Sequence, residues 1–261
     1  MTSSRSEPGD GRDLAVDGAL NLRDLGGLPT PNGTTRFHRV VRGGRRERLT
    51  ARGWRQLAAH GIGHVIDLRT PAEVSRRDTD PRVDPAAWAG FEIHPMPVED
   101  FGVRAYTAAL DHPYLNHPGH YRLLLDHFPD ELAAVMRLLS EIARTAGTAD
   151  GAGVYVHCSA GRDRTGLVSA WLLQLAGVAD ADIVADYRRS LDWVNEYHRT
   201  SNHPVEKHEP PEVFEPWAES RTRALGAFLR AHPADTALPA LGLTPEETTA
   251  LRGLLAPASP A

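Results

Sequence analysis

Cys158 is the only cysteine of this chain, and it stands in the run His157-Cys158-Ser159-Ala160-Gly161-Arg162-Asp163-Arg164-Thr165-Gly166, six positions before an arginine. A thiol and a guanidinium at that spacing, on a segment that reads as strand, tight loop and helix, place a nucleophile beside an anion grip. Backbone N–H groups curled around such a loop, with the positive end of the helix dipole behind them, bind a dianionic phosphate. Gly161 permits the curl. The same field stabilises a thiolate, since cysteines at helix N-termini beside cations have pKa values lowered from about 8.5 to roughly 3.5–7.5. Cys158 is therefore expected to be anionic at neutral pH. Arg164 offers a planar fork that can hold two equatorial oxygens during in-line displacement, which lysine cannot. Thr165 is expected to donate its hydroxyl to the sulfur, and His157 to orient the loop. A lone cysteine is more commonly an inert buried side chain. His before it, Gly at +3, Arg at +6, Thr at +7 and Gly at +8 together outweigh that reading.

The elements that must position these groups are legible on either side. Gly153-Val154-Tyr155-Val156-His157 is a buried strand bounded by glycine, delivering Cys158 to a loop. From Thr165 the apolar residues Leu167, Val168, Trp171, Leu172 and Leu175 recur at three and four, so a helix begins inside or just after Arg162-Asp163-Arg164. Upstream, Leu49-Thr50 opens a helix that stops at Gly61, Val65 to Leu68 is a second buried strand, and Phe91-Glu92-Ile93 a third. Pro129 to Arg144 is a helix, 147–153 a linker, and helices follow at about 180–197, 215–231 and 244–255. The pattern predicts an α/β fold: a small, largely parallel sheet flanked by helices, with the site at the C-terminal end of the Val154–His157 strand.

His-Cys-x5-Arg-Thr-Gly resembles the signature of the cysteine-dependent phosphatases, the protein tyrosine phosphatase superfamily. Asp163-Arg164-Thr165-Gly166 behind a basic Arg162 is similar to the bacterial tyrosine/serine and lipid phosphatase branch, which typically carries Lys where Arg162 stands. Asn21-Leu22-Arg23-Asp24-Leu25-Gly26-Gly27-Leu28 resembles the N-terminal block of that branch. His64-Val65-Ile66-Asp67-Leu68-Arg69 followed by Glu73 resembles its next block. Where the branch has an aromatic-Arg-Ser stretch, this chain has Val41-Arg42-Gly43-Gly44. The resemblance implies Cys158, Arg164 and Asp163 as catalytic residues and a phosphate site of Ser159, Ala160, Gly161, Arg162, Arg164 and Thr165. His157, Thr165 and Asp67 support them. It also implies a cover over the site at about 99–128, a stretch that is irregular here and broken by Pro113 and Pro118, so a shorter or partly disordered cover is expected.

Composition narrows the function further. Net charge −5, with 41% hydrophobic and 24% charged residues, is that of a globular protein with one catalytic domain and argues against nucleic-acid binding. One cysteine excludes an internal disulfide and points to a reducing cytoplasm. No apolar run approaches the ~18 residues of a membrane span. Residues 1–17 are expected to be a disordered tail, 18–256 the phosphatase domain and 257–261 a short tail. No cofactor and no metal are expected. His112, His117, His120 and His127 lack acid or thiol companions at ligand spacing, and the eight arginines between Arg36 and Arg55 read as a solvated face, with attraction of an acidic substrate or an anionic membrane surface as the alternative. Phe128-Pro129-Asp130 is read as a helix start with Asp130 complementing the dipole. Asp163 is then the preferred general acid, ahead of Asp67 and Asp130.

The expected activity is phosphate monoester hydrolysis through a phosphocysteine, on phosphotyrosine or phosphoserine proteins or phosphoinositides. A metabolic phosphatase for a small nucleotide, sugar or inositol phosphate is the nearest alternative. A non-catalytic phosphate-binding module or a sulfurtransferase would not keep Cys158, Asp163, Arg164 and Thr165 together. Nothing in the sequence sets an oligomeric state.

Overall fold

The computed structural model describes residues 11–146 and 151–257. Strand β1 (Arg23–Asp24), the hairpin strands β2 (Pro29–Thr30) and β3 (Gly33–Thr34), and β4 (Val40–Gly43) precede helix α1 (Ala51–Ala59). Strands β5 (Ile62–Asp67) and β6 (Glu92–Pro95) follow, then α2 (Arg104–Ala109), α3 (Tyr121–His127) and α4 (Pro129–Ala146). Strand β7 (Gly153–His157) leads into α5 (Asp163–Leu175), after which α6 (Asp180–Tyr197), α7 (Pro211–Ala231), α8 (Ala234–Ala240) and α9 (Pro245–Leu255) complete the fold.

The central sheet has the order β1-β4-β7-β5-β6. β4, β7, β5 and β6 are mutually parallel, and only β1 runs antiparallel, against β4. β7 is the middle strand, with all five residues buried, which is why its sequence is an unbroken run without polar alternation. Val154 and Val156 face the larger core with Leu167, Trp171 and Leu172 of α5. Tyr155 faces a smaller core with Trp54 and Leu57 of α1. The mixed α/β sheet flanked by helices is the expected architecture, and Cys158 follows the last residue of β7.

Several boundaries differ from the expected ones. Residues 1–10 and 258–261 of the expected tails, and 147–150 of the expected linker, lie outside the described residues. Residues 12–17 are not a free tail: Arg12 is buried against Asp186, Asp13 bridges to Arg23, and Val16 packs beside Trp54. Asp186 is 174 positions from Arg12, so local composition held no sign of the contact. The 99–128 excursion folds into α2, a 3-10 turn at Pro118–His120 and α3, anchored by buried Tyr106, Tyr121 and Leu124. α7 begins at Pro211 rather than near 215, because proline at the first helical position gives up no hydrogen bond and Pro216 obscured the first turn. Pro239 likewise hid α8.

Candidate active site

The Cys158 loop is shaped from outside by its carbonyls. The Arg45 amide donates to Ser159 O (3.0 Å), and Asn21 Nδ2 donates to Ala160 O and Gly161 O (3.1 Å each). Arg42 Nη2 donates to Gly161 O (2.8 Å) and Arg162 O (3.4 Å). A trans peptide sets each carbonyl opposite the following N–H. With four successive carbonyls held toward the β4 side, the amides of Ala160, Gly161, Arg162 and Asp163 face the other way, across the start of α5. This is the amide cradle that an oxyanion needs.

Gly161 has φ +69°, and Gly43-Gly44 lie directly beneath it. The block where the chain departs from the aromatic-Arg-Ser pattern is therefore the seat of the loop: its glycines allow backbone to rest on backbone, and its arginine holds two loop carbonyls. Arg42 is itself fixed, with Arg12 and Arg23, on buried Asp186 of α6. These cations hold the Asp186 carboxyl far below the usual carboxylate range despite its burial. The eight-arginine stretch is thus not a uniform solvated face. Arg42 and Arg45 are buried, Arg45 paired with Asp80, while Arg52 and Arg55 are exposed.

Cys158, Ser159, Ala160, Arg162, Asp163 and Arg164 share one cavity of about 420 Å³. Phe101, Tyr114 and Leu115 wall it from the excursion, and Trp193, Tyr197 and Glu206 from α6 and the loop after it. A more open cleft of about 830 Å³ between residues 13–23 and the Arg189–Glu196 side of α6 lacks a nucleophile.

Arg164 is buried, and its two terminal nitrogens meet Glu73 at 2.5 and 2.6 Å. Glu99 Oε1 lies 2.9 Å from Nη1. The Nε edge of the guanidinium makes no ion pair or hydrogen bond with the described residues, so one side of the fork is positioned and unengaged. Glu73 also accepts from Ser159 Oγ (2.9 Å) and the Thr70 amide (3.0 Å). Burial raises its pKa, but Arg164 and these donors win and bring it down to about 2. Glu99 is pushed up by burial, which Arg164 and a hydrogen bond from Tyr106 only partly offset.

Asp163 opens α5 with both oxygens engaged: Oδ1 accepts from Tyr187 (2.9 Å) and Oδ2 from Arg162 Nε (2.7 Å). Arg162 lines the cavity beside the loop. Its Nη1 and Nη2 pair with Glu206 at 2.9 Å each and its Nε with Asp163, so its charge is matched by two carboxylates. His157 is fully buried and approaches the Cys158 carbonyl through Nδ1 (3.2 Å), with Nε2 3.7 Å from Asp67. Burial brings its pKa down to about 4, so it is neutral at neutral pH. Asp67 is gripped by Arg69, which also binds Glu47, and it does not line the cavity. Thr165 is buried in the first turn of α5, but its hydroxyl has no hydrogen-bond partner among the described residues, and the expected bond to the sulfur is not made. Asp130 is exposed in the first turn of α4, away from the cavity.

Asn21, Arg42, Glu99, Glu206 and Tyr187 were not singled out from sequence as site residues. Each reaches the loop from a distant element. Asn21 alone carries a local sign in the backbone, a positive φ of 48°. Of the histidines weighed as metal ligands, none joins a ligand cluster among the described residues. Another trio does: His64, Glu92 and His94, on the neighbouring strands β5 and β6.

Comparison with known proteins places this architecture. Residues 14–256 match the model of the tyrosine phosphatase family. A Cupriavidus necator protein, provisionally named a tyrosine-protein phosphatase, is 30% identical over 222 residues, 84% of this chain and 78% of that protein. The triple specificity protein phosphatase PtpB of Mycobacterium tuberculosis is 30% identical over 199 residues, 69% of each chain. Among solved structures, TpbA of P. aeruginosa aligns over 90% of this chain and 99% of its own, with 15% identity and a TM-score of 0.43.

Proposed function

The chain belongs to the tyrosine phosphatase family, and from that premise we propose that it hydrolyses phosphotyrosine in protein substrates through a phosphocysteine intermediate. The observation that carries this reading is the cradle itself: Cys158 at the end of β7, four inward amides, and the unengaged Nε edge of Arg164 at the start of α5. Cys158 Sγ, as thiolate, attacks phosphorus, and the phenolate oxygen leaves with a proton from Asp163. Water then attacks the phosphocysteine, giving its proton to Asp163 and releasing phosphate and the thiolate. The cradle amides and Arg164 hold the equatorial oxygens in both steps.

Asp163 is favoured as the acid by its position, in the cavity at the start of α5. Three carboxylates line the cavity: Glu73, Asp163 and Glu206. Glu73 is held at about 2, and Arg162 with its neighbours holds Glu206 well below the usual range, so neither keeps a proton at neutral pH. His157 and Asp67 act behind the loop as positioning groups, and residues 99–128 serve as the cover.

The experiment is hydrolysis of a phosphotyrosine peptide and of an aryl phosphate in the presence of a chelator. Turnover should survive the chelator and be inhibited by vanadate and by thiol oxidation, and Cys158→Ser should bind the peptide without turning it over. Near-normal turnover by Cys158→Ser, or abolition by the chelator, would overturn the reading. Parallel assays on phosphoserine peptides, phosphoinositides and small sugar or inositol phosphates rank the substrate classes.

A further inference from the structure

We propose that Glu206 is the specificity-determining residue of this site: its carboxylate occupies Arg162, the phosphate-loop cation that a second anionic group of a substrate could otherwise reach. The site then takes esters carrying one phosphate and discriminates against headgroups carrying two. This rests on the phosphatase reading of the Cys158 cavity.

Arg162 is the second arginine of the loop, two positions before Arg164, and its guanidinium is enclosed on three sides. Nε donates to Asp163, both terminal nitrogens donate to Glu206, and its face lies 5.7 Å from the Trp217 ring. Glu206 is in turn fixed from three directions. Tyr114 of the excursion donates its hydroxyl at 2.6 Å, His198 Nε2 at the end of α6 lies at 3.2 Å, and the Glu206 amide donates to His203 Nδ1 at 2.9 Å. A substrate phosphate approaching Arg162 would have to displace a carboxylate that is part of the cavity wall, and would meet its negative charge first. Repulsion of the wrong ligand by a built-in like charge is a direct route to specificity.

The test compares kcat/KM for a phosphotyrosine peptide and for a short-chain phosphatidylinositol bisphosphate in the wild type, Glu206→Gln and Tyr114→Phe. Glutamine keeps an oxygen for Tyr114 and His198 and removes the charge, so the bisphosphate-to-phosphotyrosine ratio should rise at least ~10-fold. Tyr114→Phe loosens the tether and keeps the charge, so its ratio should stay within about threefold. An unchanged ratio in Glu206→Gln, or an equal rise in Tyr114→Phe, overturns the proposal. The wild type alone supplies a second check. An inositol bisphosphate that inhibits it at least ~10-fold more tightly than the monophosphate would also overturn it. A wild type inactive on every phosphate ester would instead remove the phosphatase reading.

Independently, the geometry points to a divalent-metal site on edge strand β6 and its neighbour β5, formed by His64, Glu92 and His94. The register of β5 and β6 pairs His64 with Glu92 and Ile66 with His94, which sets all three on one face of two rigid strands. His64 Nδ1 and His94 Nε2 are 3.3 Å apart, with Glu92 Oε2 at 3.7 and 4.0 Å from them. A tetrahedral zinc with Zn–N of roughly 2.0–2.1 Å places two imidazole nitrogens about 3.3–3.4 Å apart, so the imidazoles need not move. The exposed Glu92 can close the remaining few tenths of an ångström. Two imidazoles and one carboxylate suit zinc or a neighbouring first-row ion, with one position open to solvent.

Calorimetric titration of zinc into the full chain carrying Cys158→Ser, which removes the competing thiol, should show a site that weakens at least ~10-fold on adding either His64→Ala or His94→Ala. Equal zinc affinity in those variants, or no binding at all, overturns the assignment.

Discussion

Gly161 rests on Gly43 backbone to backbone, and a Cβ built on Gly161 would overlap the Gly43 carbonyl and fall 2.7 Å from the Gly44 amide nitrogen. The positive φ of Gly161 adds strain for any other residue. Because Arg42 and Asn21 hold the Gly161 carbonyl, pushing the loop off its seat would also turn the cradle amides out of line. Gly161→Ala should therefore lower kcat/KM on an aryl phosphate by at least ~100-fold, the scale seen when one transition-state donor is lost. Activity within threefold of wild type would show that the seat does not set the cradle.

Arg164 is the second test of the cradle. Glu73 holds both terminal nitrogens, and the Nε edge, which makes no hydrogen bond with the described residues, is the part the proposed mechanism assigns to the phosphoryl group. Lysine keeps the charge and has no such edge, so Arg164→Lys should lower kcat by at least ~100-fold. A fall of less than about threefold would mean that the edge does not hold the transferring group.

The loop was legible because its logic is local: strand, nucleophile, glycine, arginine and helix start all fall between Gly153 and Gly166. What surrounds the loop was not, because the contacts are long-range. Arg42 looked like one cation in a solvated run, yet it is buried 144 positions from its partner Asp186. The partner of Arg162 was equally hidden, since only the fold brings Glu206 onto it from 44 positions away. The excursion read as irregular since its prolines break helices, while its order comes from tertiary burial of Tyr106 and Tyr121, which periodicity cannot register.

His157 makes stability depend on pH. Burial lowers its pKa from 6.5 to about 4, so the folded state refuses a proton that the unfolded chain takes up below about 6.5. Its contribution is complete above about pH 6.5 and declines as pH falls toward 4, by on the order of 3 kcal/mol across that window. His157→Asn, which can still donate toward the Cys158 carbonyl, should flatten that decline. Urea unfolding at about pH 7 and about pH 4.5 measures it, and an equal loss in both proteins would assign the pH dependence to other groups.

The general acid is separable by leaving group, because protonation matters most when the departing oxygen is a strong base. If Asp163 is the acid, Asp163→Asn should impair a phosphoserine or inositol phosphate, whose alkoxide leaving groups have pKa values far above ~10, much more than an activated aryl phosphate. Asp130, exposed on α4, should then be nearly silent as Asn. Asp67 is locked to Arg69, and Arg69 with His157 and nearby donors lowers its pKa despite burial. Asp67→Asn should thus lower both substrates alike, through the strand end it shares with His157. The Asp163 carboxylate also orders Arg162, so loss of loop shape alone would cut both leaving groups equally. An equal loss in Asp163→Asn, with a selective loss in Asp130→Asn or Asp67→Asn, would move the acid to that residue.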